Sequence, residues 1–213
     1  MSAAGRTVVL AGATSAAGLK VARALVEAGA RVVATGRSIE RLAPLVDAGA
    51  ESVVADATSL ADMTDLAAEL GQVDGVIPLV GGWRGGGGLA GQSDEDFDAL
   101  LPALQAVRAT SRAFDRSLQA SDAGRFAIVS STAVARPLAG GANYAAVKAA
   151  AEAWARAVSH GYAKAARDAG EPLRAASVIL RAKVLNAESL SRAVVGFWAA
   201  DAADLNDRTI ELA

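Results

Sequence analysis

Residues 7–18 read Thr-Val-Val-Leu-Ala-Gly-Ala-Thr-Ser-Ala-Ala-Gly. Thr7 to Ala11 is an unbroken apolar, β-branched run, the pattern of a strand buried on both faces. Gly12 to Gly18 bounds a tight turn, after which Leu19, Ala22, Leu25 and Val26 recur at helical spacing until Gly29 stops them. A strand that turns sharply into a helix aims free backbone N–H groups at one point. With the helix dipole, such a point suits a pyrophosphate, and the small side chains of Ala16 and Ala17 allow a ligand close to the backbone. An ordinary strand–helix turn in an Ala-rich chain reads the same way, so the decision falls to the rest of the chain.

Beyond the turn, strand and helix patterns alternate. Strands are expected over 31–34, 52–55, 76–80, 126–129, 176–180 and 209–212. Between them, helices open at Ser38, Ser59 and Ser93, and two more are expected over 144–169 and 188–200. Asp94, Glu95 and Asp96 place acid in the first turn after Ser93, where the helix dipole favours it. Repeated strand–helix units predict an α/β fold: a Rossmann-type, doubly wound, mainly parallel sheet of seven strands with helices on both faces. No linker or shift of composition divides the chain, so residues 1–213 are expected as one domain. Pro78 conflicts with a central strand over 76–80, because proline removes a ladder donor.

Composition narrows the chemistry. The chain is 53% hydrophobic but has only nine aromatic residues among its 213, so the core must be aliphatic and Ala-rich. Its net charge of −2 offers no global attraction to nucleic acid or an anionic membrane, and neither is expected as a partner. There is no cysteine, which excludes disulfides and thiolate ligands, and a single His160 excludes a histidine-cluster metal site. No apolar run approaches the roughly 18 residues of a membrane span, and Met1 to Arg6 does not read as a signal peptide. A cytoplasmic location is the expectation.

Two further patterns carry chemistry. A dinucleotide-binding unit that prefers NAD usually places an acid about 20 residues past the glycine turn, on the ribose 2′-hydroxyl. Here that place reads Thr35-Gly36-Arg37, with no acid and a cation suited to a 2′-phosphate. The expected cofactor is therefore NADP, with NAD possible. Later, Tyr144 and Lys148 lie four apart on one helix face, where an ammonium favours the phenolate and readies the phenol for acid–base work. Ser131 precedes Tyr144 by thirteen residues and falls at the carboxyl edge of the sheet, where open α/β sheets bind ligands. A chance surface pair at this spacing is common, as is a serine at a strand end.

Taken in order, these features resemble the short-chain dehydrogenase/reductase family along essentially the whole chain. The resemblance implies that Gly12, Thr14, Ser15, Ala17 and Gly18 hold the cofactor pyrophosphate, with Arg37 at the ribose and Asp56-Ala57 at the adenine. It implies Gly81 and Gly82 beside the cofactor, Tyr144 as proton donor, Lys148 as its partner and ribose anchor, and Ser131 as substrate positioner. The chain departs from the family pattern in four places. Ala16 stands where the turn has its middle glycine. Leu79-Val80-Gly81-Gly82 stands for Asn-Asn-Ala-Gly, Leu104 for a relay asparagine, and Leu180-Arg181 for Pro-Gly, with the following threonine also missing. Few residues, 181–187, separate the sixth strand from the last long helix, where the family has a helical substrate lid.

The stretch Gly81-Gly-Trp-Arg-Gly-Gly-Gly-Gly88 is expected as a disordered loop, with a cover over the ligand through Trp83 as the other reading. Tyr162, about 27 Å along the helix from Tyr144, cannot share its site. Trp154 and Trp198 read as core or subunit-contact residues. The leading expectation is an NADP-dependent oxidoreductase acting on a small-molecule carbonyl or alcohol, as a homodimer or homotetramer. The other is a nucleotide-binding sensor or scaffold with weak or no redox activity.

Overall fold

The computed structural model describes residues 2–212. Its strands are β1 Thr7–Ala11, β2 Arg31–Gly36, β3 Glu51–Val54, β4 Gly75–Pro78, β5 Arg125–Ser131, β6 Ala176–Ala182 and β7 Thr209–Leu212. They form one sheet in the order β3-β2-β1-β4-β5-β6-β7. Every pairing is parallel, so the doubly wound, seven-stranded Rossmann-type arrangement expected from the alternation is the one observed. The helices are α1 Ala16–Glu27, α2 Ile39–Asp47, α3 Leu60–Leu70, α4 Asp94–Ala120, α5 Ala142–Ala169, α6 Ala187–Gly196 and the short α7 Ala202–Leu205. Among the described residues, no helix is long and apolar enough to cross a membrane.

The two faces of the sheet carry separate cores, and the strands show why their sequences do not alternate. On β1, Val8 and Leu10 join Leu25 of α1, Leu42 of α2 and Leu190 of α6. Val9 and Ala11 point the other way, to Met63 of α3, Phe114 of α4 and Ala155 of α5. Side chains two apart share a face, so a strand covered on both sides needs apolar residues at every position. Serine caps begin three helices as expected, the hydroxyls of Ser38, Ser59 and Ser93 accepting from the amides three residues on, and Ser15 caps α1 in the same way.

Two expectations are corrected. The helix expected over 188–200 ends at Gly196, and a single 3-10 turn over Phe197–Ala199 follows. That turn drives Trp198 under the sheet, where its indole N–H donates to the Ala123 carbonyl at 3.0 Å. The fourth strand stops at Pro78, not Val80. Its pairing with β5 ends at Val76, while Leu79 N–H still donates to the Ala11 carbonyl of β1 at 2.8 Å. Amides alternate sides along a strand, so the donor that Pro78 lacks would point to β5 beyond the end of that ladder, where no bond is lost. Strand order reverses between β1 and β4, and the crevice outside their carboxyl ends is where such sheets bind ligands.

Candidate active site

The turn between β1 and α1 is pinned from both sides. Gly12 N–H donates to Thr35 Oγ1 at 3.1 Å and Ala13 N–H to the Thr35 carbonyl at 3.0 Å, which tie it to the end of β2. Gly12 has φ +73°, and a Cβ there would lie 2.4 Å from a Val80 methyl. A Cβ on Gly18 would lie 2.1 Å from the Ala13 carbonyl oxygen, so only glycine lets α1 begin this close to the strand. Ser15 Oγ accepts from Gly18 N–H at 3.1 Å. No acceptor within the described residues takes the amides of Thr14, Ser15, Ala16 or Ala17, which leaves a group of donors at a helix N-terminus. The donors, the dipole and the space kept by two glycines fit a pyrophosphate.

At the neighbouring strand end, Arg37 is exposed and has no carboxylate partner among the described residues. A small cavity beside the turn is lined by Thr14, Ser15, Ala16, Pro44 and Arg41. Arg41 is a second free cation that the sequence reading passed over. Its signal was there: Arg37 and Arg41 are four apart across the Ser38 cap, a spacing that brings both to the start of α2. A Cβ on Gly36 would meet Thr14 Cγ2 at 2.6 Å, so the glycine before Arg37 is what brings the end of β2 up to the turn. Beyond β3, the Asp56 carboxylate accepts from Thr58 N–H and Oγ1 at 2.9 and 2.8 Å, and Ala57 is buried. This fixed bend lies at the same edge of the sheet as the turn.

Tyr144 and Lys148 meet as their spacing requires: Lys148 Nζ lies 5.7 Å from the Tyr144 ring centroid. Nζ donates to the Val129 carbonyl at 2.8 Å, and a Cβ on Gly81 would stand 3.9 Å from it. The lysine is therefore held where β4 and β5 part. Burial pushes its ammonium down to about 8, against the opposing pull of Glu152. Ser131 ends β5, with its Oγ accepting from Ala133 N–H at 3.2 Å. The Tyr144 hydroxyl makes no hydrogen bond to Ser131 or Lys148 within the described residues, and the residue is half-buried. Leu104 packs with Leu100, Val147 and Tyr144 in a small apolar cluster, so an aliphatic side chain occupies the surroundings expected of a relay asparagine.

The glycine stretch after β4 is not the disordered loop expected of it. Gly86 N–H donates to the Gly140 carbonyl at 2.7 Å, and Gln92 Nε2 donates to the carbonyls of Gly86 and Gly88. Gln92 Oε1 accepts from Asn143 N–H at 3.2 Å, and Asn143 Nδ2 donates to the Ser93 carbonyl at 2.9 Å. A Cβ on Gly85 would sit 2.4 Å from the Gly140 oxygen, which is why the approach needs glycine. Gly81 and Gly82 are exposed at the start of this loop, and Trp83 is 62% exposed beside it. The latch joins the loop to the segment that leads into Tyr144. Tyr162 lies in the core at the far end of α5, where burial raises its phenol and leaves its hydroxyl without a partner.

The family model for short chain dehydrogenase matches residues 6–166. No curated protein matches the sequence. Among solved structures, a short chain dehydrogenase/reductase family protein superposes with a TM-score of 0.83, at 22% identity, over 100% of this chain and 97% of its own. A metagenomic short-chain oxidoreductase in complex with NADP gives a TM-score of 0.78, at 24% identity, over 99% and 98% of the two chains. An oxidoreductase, YciK from E. coli, gives 0.84 at 17% identity over 98% and 95%. These likenesses carry the fold alone. The family match takes in the glycine turn, the strand ends around it and the Tyr144–Lys148 pair, and the chain belongs to the short chain dehydrogenase family of oxidoreductases.

Proposed function

We propose that the chain, acting as one domain, is an NADP(H)-dependent oxidoreductase that reduces a carbonyl or oxidises an alcohol, with Tyr144 as the acid or base. The observation that carries this reading is the placement of Lys148 Nζ 5.7 Å from the Tyr144 ring, against Val129 and Gly81, at the edge of the sheet that holds the free turn amides. The Gly12–Gly18 turn takes the pyrophosphate on the amides of Thr14 to Ala17. Arg37 and Arg41 take a 2′-phosphate, which an NADH lacks. Asp56 and Ala57 border the adenine, and Gly81 and Gly82 leave room beside the ribose.

A nicotinamide held there would supply the hydride chemistry at the carbonyl carbon. Tyr144 gives its hydroxyl proton to the carbonyl oxygen in reduction and takes it back in oxidation. Lys148 stabilises the phenolate left behind. It has three N–H donors and spends one on Val129, so the others are free for the ribose. Ser131 offers its hydroxyl to the substrate oxygen. With Leu104 in the apolar cluster, protons reach Tyr144 from water at the open edge. The substrate is a small molecule admitted between the latched glycine loop and residues 183–186, where Val184 and Leu185 are exposed in place of a helical lid. The exposed small residues Ala149, Ala150 and Ala153 on α5 suit close contact with a second copy, so a homodimer or homotetramer is part of the proposal.

The test is NADPH oxidation over a panel of quinones, α-diketones and simple ketones, with wild type and Tyr144→Phe. Turnover that the variant loses supports the reading. Equal rates across the panel overturn it. Cofactor binding with no turnover at all would favour a nucleotide sensor or scaffold, a reading that Leu104 in place of the relay asparagine and the missing Pro-Gly and threonine support.

A further inference from the structure

An ionic cluster centred on the buried Glu152 lies one helical turn beyond Lys148, and the reaction just described does not use it. Ser130 Oγ donates to Glu152 Oε1 at 2.7 Å. Arg181 donates to both carboxylate oxygens of Glu152, from Nε at 3.1 Å and from Nη2 at 2.8 Å. Its third nitrogen, Nη1, reaches Glu211 Oε1 at 3.4 Å, and Arg156 Nη2 stands 3.9 Å from Glu152 Oε2. Glu152 is 4% exposed. The cluster thus ties α5 to β5, β6 and β7 at one point.

Its placement relative to Lys148 is specific. Ser130 and Arg181 are register partners on β5 and β6, so their side chains leave the same face side by side and Glu152 lies over both. Val129, the residue before Ser130, accepts from Lys148 Nζ. Two consecutive residues of β5 therefore hold two consecutive turns of α5, one through the ammonium and one through the carboxylate. A buried ion pair adds little stability over apolar residues of the same shape, so stability alone is a weak reason for it. Arg181 also stands where the family resemblance expects Pro-Gly, and this departure supplies the fork that fixes Glu152.

We propose that Glu152 is a positioning residue of the site: it fixes the turn of α5 that carries Lys148 and supplies the negative charge that accompanies the buried ammonium, while Arg181 holds Glu152 in place. This role rests on the proposed part of Lys148 in the reaction. Nζ faces the Tyr144 ring of α5, the Val129 carbonyl of β5 and the backbone at Gly81, and Glu152 lies one helical turn on along α5 without an ion pair to it among the described residues. Arg181 on β6 and Arg156 on α5 lie behind Glu152 and oppose it, and Glu211 on β7 partly neutralises Arg181. The Glu152 charge favours the protonated lysine, in keeping with the direction of its pull on Lys148.

The test reads Lys148 directly and needs no turnover. Acetic anhydride labelling of the folded protein across pH, followed by peptide mass spectrometry, gives the midpoint at which Lys148 becomes nucleophilic. In Glu152→Gln that midpoint should fall by about one pH unit. In Arg181→Gln, which removes the opposing cation, it should rise, and Glu152→Asp should stay near wild type. Mere loosening of the packing would hydrate the lysine and raise the midpoint in every variant, so the fall in Glu152→Gln is the distinguishing result. An unmoved or raised midpoint in Glu152→Gln overturns the inference. If that variant does not fold, an unmoved or lowered midpoint in Arg181→Gln overturns it equally. Where NADPH-dependent turnover exists, the alkaline limb of kcat should move with the labelling midpoint. If no carbonyl is turned over, the proposed reaction fails while the labelling result still decides the role of Glu152.

Discussion

Arg125 and Lys148 are both buried cations, and they mark opposite ends of β5. The Arg125 guanidinium spends all three nitrogens on carbonyls: Nε on Phe197 at 3.1 Å, Nη1 on Gly124 and Arg174 at 2.9 and 3.1 Å, and Nη2 on Ala200 at 2.9 Å. Beside it, Asp74 accepts from Thr7 N–H, Ser121 Oγ and Arg6 Nη1. A Cβ on Gly75 would lie 2.9 Å from the Trp198 ring. Around Arg125, every guanidinium nitrogen and both oxygens of the Asp74 carboxylate are engaged. At the carboxyl end, Lys148 has one carbonyl partner, the amides of Thr14 to Ala17 have none among the described residues, and Trp83, Leu89, Leu138, Val184 and Leu185 are exposed. Burial pushes both cations down, Arg125 to about 10 and Lys148 to about 8, but only the lysine reaches the range in which a site works. The same strand is thus anchored where its polar groups are saturated and reactive where they are not.

That contrast breaks if activity and stability respond to the same substitutions. The largest effect is expected at the open end: Tyr144→Phe should cut carbonyl reduction by about 10²–10⁴-fold in steady-state kinetics while the urea midpoint stays near wild type. At the closed end, Arg125→Ala leaves four carbonyl contacts unmade and a cavity behind. It should destabilise the fold by about 3 kcal/mol or more, read by equilibrium urea unfolding. If the variant unfolds at the wild-type midpoint, the anchoring role is wrong.

Smaller effects sharpen the open end. Arg37→Ala and Arg41→Ala should each weaken NADPH binding by about 1–3 kcal/mol in a fluorescence titration and leave NADH unchanged, since only NADPH carries the 2′-phosphate. Equal affinities of wild type for the two cofactors would count against both cations. The pH profile is set by the lowered lysine. The protonated form is the working one, so kcat should fall about tenfold per pH unit above about 8. Because the folded lysine releases its proton earlier than the unfolded one at 10.5, the stability cost of burying its charge is complete below about pH 8 and is relieved as pH rises from there to about 10.5. The smallest change is expected from Trp83→Ala: a few-fold higher KM for an aromatic carbonyl, with kcat and thermal midpoint held.

The strand–helix alternation was readable because the inner strands are covered on both faces, which forces continuous apolar runs such as Thr7–Ala11, and because serine caps announce several of the helices. The glycine turn and the Tyr144–Lys148 pair were readable for the same reason: both depend on contacts within a few residues. Arg41 was missed although its spacing was local, because no acid or cation at the start of α2 declares what it faces until the cavity beside Thr14 is seen. The loop at 81–88 was misjudged because glycines look permissive in sequence, while here they are what allows backbone to meet backbone at Gly85 and Gly140.

Periodicity and short-range sterics thus dictate the sheet, its caps, the turn at Gly12–Gly18 and the one-turn spacing of tyrosine and lysine. Four features are set by packing instead: the depth of Lys148, the grip of Arg181 on Glu152 in place of Pro-Gly, the ladder that loses nothing at Pro78 and the latched glycine loop. Each of these depends on groups from strands distant in the chain meeting at one edge of a parallel sheet. Neither register nor desolvation exists until that sheet has formed.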